Sequence, residues 1–332
     1  MIVKYPFLVI IVSCLLNSLA TAAESIDIKH EPPALPTVVQ TSVYIIDILK
    51  IDGAEQSFSG DLTILMTWQD PRLAHHNEQA QLRSLHDIWN PRILIANSRD
   101  TKISLPETVE IQSDGTVSYR QRLTGTFTSH FDLKRFPNDQ QTLVIEFLAR
   151  GYSANEVQLL RNDSWTGQAD RLTLPDWAVG ELALVEQPYT IPSLNVTIPG
   201  LRLELPVQRL VGYYAGTVLT SAAIIVCMAW LVFWIPPASI NPRISVSVTS
   251  MLTLIAHRFV IQGELPNLPY LTTMDYFLIG STLMVLLGLI EVVTVFRIYS
   301  NGNEAKALQL NRFFRLSYPL PFFALLTFVL FR

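Results

Sequence analysis

Val211 to Ile235 is a run of 25 residues without one charged side chain, and it limits the fold more tightly than any other stretch. At a rise of about 1.5 Å per residue it crosses the roughly 30 Å of a bilayer's hydrocarbon as a helix, the form in which every backbone group is bonded internally. Two further apolar stretches follow: Tyr276 to Phe296, interrupted only by Glu291, and Phe313 to Phe331, with Arg315 near its start. Charge divides the chain in the same way. Residues 24–205 hold 24 Asp or Glu against 15 Lys or Arg, whereas residues 206–332 hold 4 against 8. A mean hydropathy of +0.31 agrees with a membrane protein. Without basic stripes interleaved with aromatics, nothing points to nucleic acid.

Lys4, the apolar run Phe7 to Leu16 and Ala20-Thr21-Ala22 have the layout of a secretory signal peptide over residues 1–22. That apolar run is shorter than the ~20 residues of a membrane anchor. Residues 23–206 then form an exported domain and residues 207–332 a transmembrane domain. From Thr37 to Leu205 the pattern is of short β runs: Val43 to Ile51, Leu62 to Trp68, Ile93 to Ile95, Thr116 to Leu123 and Thr142 to Phe147. Asp52-Gly53, Ser59-Gly60-Asp61 and Asp114-Gly115 read as turns between them, and Asn77 to Leu85 as a short helix. The spacing predicts an antiparallel, immunoglobulin-like β-sandwich. Cys14 and Cys227 are the only cysteines, so the mature chain has no internal disulfide or thiolate metal site. His75, His76 and His86 lack a metal-binding spacing. No nucleophile elbow, phosphate loop, dinucleotide fingerprint or His-Glu-x-x-His occurs, which argues against an enzyme and calls for no cofactor.

Four helices are predicted, at about 209–235, 243–262, 271–299 and 311–331. An exported N-terminal domain places Arg243 and the linker bearing Arg297, Lys306, Arg312 and Arg315 in the cytoplasm, in accord with the positive-inside rule. Glu291 is expected to snorkel toward the inner headgroups. The second helix is the least apolar. At 100° per residue, Ser245, Thr249, Leu252, Ala256 and Phe259 share an arc of about 80° on it. Such a stripe either lines water or packs in a bundle with its hydroxyls bonded to neighbouring backbone, and the helix alone leaves both open. His257 and Arg258 lie off the stripe; His257 reads as a neutral core histidine bonded to a neighbouring helix.

The stripe, followed by Leu265-Pro266-Asn267-Leu268-Pro269-Tyr270, resembles the second transmembrane helix and following loop of pentameric ligand-gated ion channels, the superfamily of nicotinic and GABA receptors. Ser129 to Leu143, centred on Phe136-Pro137-Asn138-Asp139, resembles its signature loop, with Ser129 and Leu143 where animal receptors carry bridged cysteines. Trp89-Asn90-Pro91 resembles the first ligand-binding loop, and Arg209 sits where an arginine precedes the first membrane helix. The short linker Ser300 to Leu310 is similar to prokaryotic members. These matches run in order through nearly the whole mature chain.

The resemblance implies a homopentamer in a cell membrane, the bacterial inner membrane, crossed several times with the N-terminal domain outside. It implies a pore lined by Ser245, Thr249, Leu252, Ala256 and Phe259, with Leu252 as the gate ring, Phe259 as a second constriction and Glu264 at the outer mouth. Ser239-Ile240-Asn241-Pro242-Arg243 lacks the acidic residue of cation channels and is partly similar to the Pro-Ala-Arg of anion channels. The acidic outer domain instead enriches cations over a screening length of ~8 Å, so monovalent cations are expected while anions stay open. Coupling is assigned to Asp52, Glu55, Phe136, Pro137, Asp139, Arg209 and Pro266, with Arg209 pairing to Asp52, Glu55 or Asp139. The agonist site falls between subunits, with Ile93, Asn97, Arg150, Tyr152 and Tyr189 on one side and Thr63 and Tyr119 on the other. Its aromatic content is thin for an ammonium, which favours a carboxylate, another polar ligand, or protons or hydroxide. Permeant ions and lipid complete the partners. The alternative is a non-conducting membrane-anchored sensor, which differs only in whether the stripe lines water.

Overall fold

The computed structural model describes residues 29–262 and 268–331. The signal peptide, Glu264 and Pro266 lie outside the described residues.

Residues 37–209 form two facing sheets and a separate two-stranded hairpin. The larger contains β1 (Thr37–Asp52), β2 (Ser57–Gln69), β3 (Gln81–Ser84), and, after the short β4 (Ile93–Ile95) of the other sheet, β5 (Ser98–Ile103), β6 (Thr108–Ile111) and β7 (Thr116–Thr128). Across it the order is β1-β2-β7-β6-β3, with β5 on β7 and with β9 (Val157–Arg161) and β10 (Gly167–Gln168) on β1. The smaller sheet places β8 (Gln140–Ala149) between β4 and the last strand. Counting on through β11 (Trp177–Val179), β12 (Ala183–Glu186) and the hairpin β13 (Tyr189–Ile191) with β14 (Val196–Ile198), that last strand is β15 (Gly200–Arg209). Period-two alternation builds the core: Leu62, Ile64, Met66 and Trp68 of β2 face Val117, Leu123 and Phe127 of β7 inside the sandwich, all buried. Trp89 is fully buried between Trp68 and Tyr152, at ring distances of 5.9 and 5.7 Å.

Two expectations fail here. Residues 77–85 hold a strand, β3, and a single 3-10 turn (Leu85–Asp87) rather than a helix; the backbone pairing of β3 with β6 outweighs the local helical pattern. Ser59-Gly60-Asp61 is not a turn but runs within β2. Gly60 is there because it lies opposite an irregular stretch of β1, where a Cβ would sit 3.2 Å from Ile48 Cδ1.

The helical region contains α1 (Gly212–Trp234), α2 (Ile240–Gln262), α3 (Thr273–Ser300), α4 (Glu304–Ser317) and α5 (Pro319–Phe331). Tyr318 keeps helical dihedrals between α4 and α5, so the two continue as one rod. Helix thus occupies most of the stretch read as the linker Ser300 to Leu310, beginning at Glu304. β15 keeps its ladder to Arg209, beyond the expected 206/207 boundary. Helices α1 and α3 are long and apolar enough to cross a membrane. The α3 N-terminus carries a capping box of Thr272 and Asp275, and a Cβ on Gly280 would lie 2.7 Å from Leu325 Cδ1, which is how closely α5 approaches.

Gly115 turns β6 into β7 at φ +85°, and a Cβ there would stand 2.5 Å from the Asp70 carbonyl oxygen. Gly115→Ala is therefore expected to destabilise the sandwich by about 1–3 kcal/mol, measured as a lowered unfolding midpoint of the purified protein.

Candidate functional site

Where the sandwich meets the helices, Arg209 at the end of β15 donates from Nε to Asp139 Oδ1 at 2.7 Å, and its backbone N–H donates to Asp139 O at 3.1 Å. Gln141 Nε2 donates to the other carboxylate oxygen at 2.8 Å. The guanidinium stacks on Trp177 at 4.2 Å and on Phe136 at 5.0 Å. With side-chain exposures of 12% and 1%, the pair is nearly dry, so deleting one partner costs about 3–5 kcal/mol through the unpaired charge left behind. Of the three acids expected near Arg209, only Asp139 reaches it. Asp52 pairs with Lys50 at 2.6 Å and Glu55 with Arg99 at 3.2 Å, partners supplied by β1 itself and by β5. The β1–β2 loop instead holds the signature loop through Gln56, whose Oε1 accepts from Phe131 N at 2.7 Å and whose carbonyl accepts from Ser129 N at 3.0 Å. At the two cysteine-equivalent positions, Ser129 Oγ donates to the Thr142 carbonyl beside Leu143 at 3.1 Å.

The same loop grips the helices. The first backbone N–H groups of a helix have no internal partner; in α3, Thr273 N donates to Lys134 O at 2.9 Å and Met274 N to Phe136 O at 3.2 Å. Leu133 N donates to the Tyr270 hydroxyl at 3.2 Å, and Lys134 Nζ lies 5.6 Å above that ring. Phe136 packs edge-on against Tyr214 of α1 at 4.9 Å, next to a π-helical stretch at Ala215–Leu219. One loop, which contains cis Pro137, therefore touches β15, α1 and α3.

On α2 the buried positions are Arg243, Ser247, Ser250 and Leu254. Ser245, Thr249, Leu252, Ala256 and Phe259 are all exposed, Leu252 by 62% and Phe259 by 69%. At 100° per residue the two sets lie on opposite sides of the helix, roughly 180° apart. His257 Nε2 is 3.2 Å from Val218 O of α1, off the stripe.

The proposed ligand residues divide. Asn97 is structural: its amide donates to Thr128 O and Val144 O at 2.8 and 2.7 Å and accepts from Glu146 N at 3.1 Å, joining the sheets. Tyr152 is buried against Trp89 with its hydroxyl toward Asn90 O at 3.4 Å. Arg150 and Ile93 line a surface cleft of about 500 Å³. Tyr189 stands exposed on the β13–β14 hairpin. Thr63 and Tyr119 lie on opposite faces of the large sheet. Tyr119 points between the sheets, where it lines a cavity of about 650 Å³ with Ile64, Met66 and Gln121, and burial raises its phenol above the ordinary value. Thr63 pairs with Tyr44 on one side and Arg122 on the other, on the outer face. There the Arg120 guanidinium sits 5.2 Å over Trp165, whose ring is 6.3 Å from Tyr44, and Arg122 forks onto Asp61. Arg120 falls in the stretch Thr116 to Gln121 that the resemblance sets across from the agonist loops, whereas Tyr44 and Trp165 were missed from sequence; their signal is a partly exposed Trp beside basic residues at alternate positions of a strand.

The family model for the neurotransmitter-gated ion-channel ligand binding domain matches residues 15–191, and that for the neurotransmitter-gated ion-channel transmembrane region matches residues 220–316. The chain belongs to the neurotransmitter-gated ion-channel family. It is 24% identical over 303 residues to a proton-gated ion channel of Gloeobacter violaceus, covering 89% of this chain and 84% of that protein. It is 27% identical over 288 residues to gamma-aminobutyric acid receptor subunit beta-4 of Gallus gallus, covering 83% of this chain and 59% of that one. With the human subunit gamma-1 the identity is 26% over 306 residues, 88% of this chain and 64% of that subunit. The chain thus spans less than two thirds of either receptor subunit. Family membership makes it a membrane-spanning channel with an extracellular N-terminal domain, not an enzyme.

In this channel the Lys50 ammonium, with the Glu55 backbone N–H, holds the Asp52 carboxyl below the usual carboxylate range. The stability this pairing adds is fully present above about pH 4, the ordinary Asp value, and is lost as pH falls through the lower folded value. Asp52 therefore titrates below the window of about pH 5 to 7, and Asp52→Asn is expected to leave the midpoint of any pH-evoked current unmoved in a pH titration. Arg209→Ala, in contrast, is expected to reduce agonist-evoked current sharply at unchanged surface expression; normal gating with normal expression would exclude a coupling role.

Proposed function

We propose that five copies of this chain assemble around their α2 helices into a ligand-gated channel that passes monovalent cations. The observation carrying this reading is the orientation of α2: every stripe residue is exposed on the side opposite the packed face, so a five-fold ring places hydroxyls at the inner end and Leu252 and Phe259 farther out around water. Such rings replace ion hydration and close by dewetting. All four helical rods cross the membrane in this arrangement. The −9 balance of residues 24–205, from 24 acidic and 15 basic side chains, supports cations.

The agonist lies between subunits, with Tyr189 and Arg150 on one and Thr63, Tyr44, Arg120 and Trp165 on the next. An arginine seated on an indole face, with no carboxylate among the described residues on its fork, suits an organic carboxylate. Binding acts on the pore through the signature loop, which touches β15 and α3 together. The relatives' names span protons and an amino acid that carries a carboxylate, so both stimuli belong in the test.

Purified protein in planar bilayers, with a panel of carboxylates, amines and pH steps, tests the reading. Stimulus-dependent unitary currents are expected; their absence under every condition would favour a non-conducting sensor. Leu252→Ser is expected to raise resting current and lower the stimulus needed by about tenfold, the equivalent of ~1.4 kcal/mol. Arg120→Ala removes a charge-assisted bond of about 1.5–3 kcal/mol, so the half-maximal carboxylate concentration should rise at least about tenfold with unitary conductance unchanged.

A further inference from the structure

At the end of the helical region away from the sandwich, four rods converge on a buried polar cluster. Arg243 of α2 donates from Nη2 to Glu291 Oε2 of α3 at 3.0 Å and to Asn311 Oδ1 of α4 at 2.8 Å. Asn311 Nδ2 donates at 2.8 Å to the Phe233 carbonyl at the end of α1, and Arg315 Nη2 donates to the same oxygen at 2.8 Å. Both side chains of the Arg243–Glu291 pair have 0% exposure. Glu291 therefore does not snorkel to the headgroups, and Arg243 is not a loop charge: the length of α2, which starts at Ile240, brings Arg243 onto the packed face against α3.

This bears on the ions the pore admits. Arg243 precedes Ser245, the inner end of the stripe, by two residues, about 3 Å along the axis. A charge this close is not screened by salt, whose Debye length is about 8 Å. Five guanidinium groups facing the inner mouth would repel cations, and arginine cannot discharge itself by losing a proton. The chain has instead turned the side chain away from the stripe and set a carboxylate on it.

We propose that Glu291 is a charge-selectivity determinant: by pairing with Arg243 it neutralises and retains, between α2, α3 and α4, a positive charge that would otherwise act on the inner pore. Glu291 never touches the ions; it acts by positioning Arg243. This rests on the pore reading above. Without Glu291, Arg243 keeps only the neutral Asn311 as partner, since its Nε and Nη1 bond to nothing in the described residues. A buried guanidinium without a counter-charge is driven toward water, and α2 offers water at its exposed inner face.

The test is the reversal potential of the full chain in planar bilayers under a sodium chloride gradient, for wild type, Glu291→Gln and the double variant Arg243→Gln/Glu291→Gln. Wild type is expected to reverse near the sodium potential. Glu291→Gln should raise the chloride-to-sodium permeability ratio by about tenfold or more, the equivalent of ~1.4 kcal/mol, and the double variant should return it to the wild-type value. A purely structural pair would alter expression or open probability in Glu291→Gln without moving the reversal potential, and that result overturns the proposal. If Glu291→Gln does not assemble, the double variant decides alone: a ratio within about twofold of wild type, less than ~0.5 kcal/mol, supports sequestration. A several-fold gain in cation preference shows that Arg243 already acts on the ions and overturns it. A wild type that conducts but prefers chloride overturns this proposal and leaves the channel reading standing, whereas a wild type that never conducts removes both.

Discussion

The Arg209–Asp139 pair is the interaction on which the relation between the two domains depends. A sandwich held by hydrophobic burial and a helical bundle held by close packing have little reason to keep a fixed orientation, because a short connection leaves several angles open. The buried pair fixes one. Asp139 belongs to the loop whose carbonyls cap α3, and Arg209 ends the strand that leads into α1. The two domains are thus joined at two helices through one carboxylate. A dry ion pair is a weak source of net stability against a hydrophobic alternative, yet it is strongly sensitive to geometry. That combination suits a junction that must be rigid in each state and still distinguish between states.

Distance from water organises the charges in the rest of the molecule. Near the sandwich surface, Asp52 and Glu55 take whichever base is nearest, and such pairs are individually worth little. At the junction and at the far end of the bundle, Arg209 and Arg243 are each confined with a single carboxylate and a nearby amide, Asn311 accepting from Arg243 and Gln141 donating to the Asp139 carboxylate. Both arginines follow from the same rule, that a buried charge keeps a counter-charge and a further hydrogen bond. One of them ties domain to domain and the other ties α2 to α3 and α4.

Much of this architecture was legible in the sequence, and the failures have definite causes. The stripe on α2 follows from helical periodicity alone, since Ser245, Thr249, Leu252, Ala256 and Phe259 repeat at three- and four-residue steps. Its partner face depends on how α2 packs against α3, which no single helix encodes, so Glu291 was read as an isolated carboxylate seeking the headgroups. Thr63 and Tyr119 illustrate the same limit in a sheet. Alternation places every second residue of a strand on one face, but only the cross-strand register, Thr63 opposite Arg122, shows that Thr63 shares its face with Arg120 and Arg122 and not with Tyr119. Asn97 was read as a ligand residue, and the sequence did not show that its amide satisfies carbonyls from two different strands, a long-range contact. Within residues 77–85, Gln81–Ser84 formed a strand because pairing with β6 outweighed local pattern.

A channel requires that the exposed side of α2 surround water. The most direct measurement replaces the exposed Cys227 with serine and introduces single cysteines at Thr249 and, one residue on, at Ser250, followed by a thiol-reactive ammonium reagent during channel opening. The account predicts rapid, irreversible block at 249 and none at 250, whose side chain is buried against neighbouring helices. Equal modification of both positions, or block at 250 alone, would contradict it.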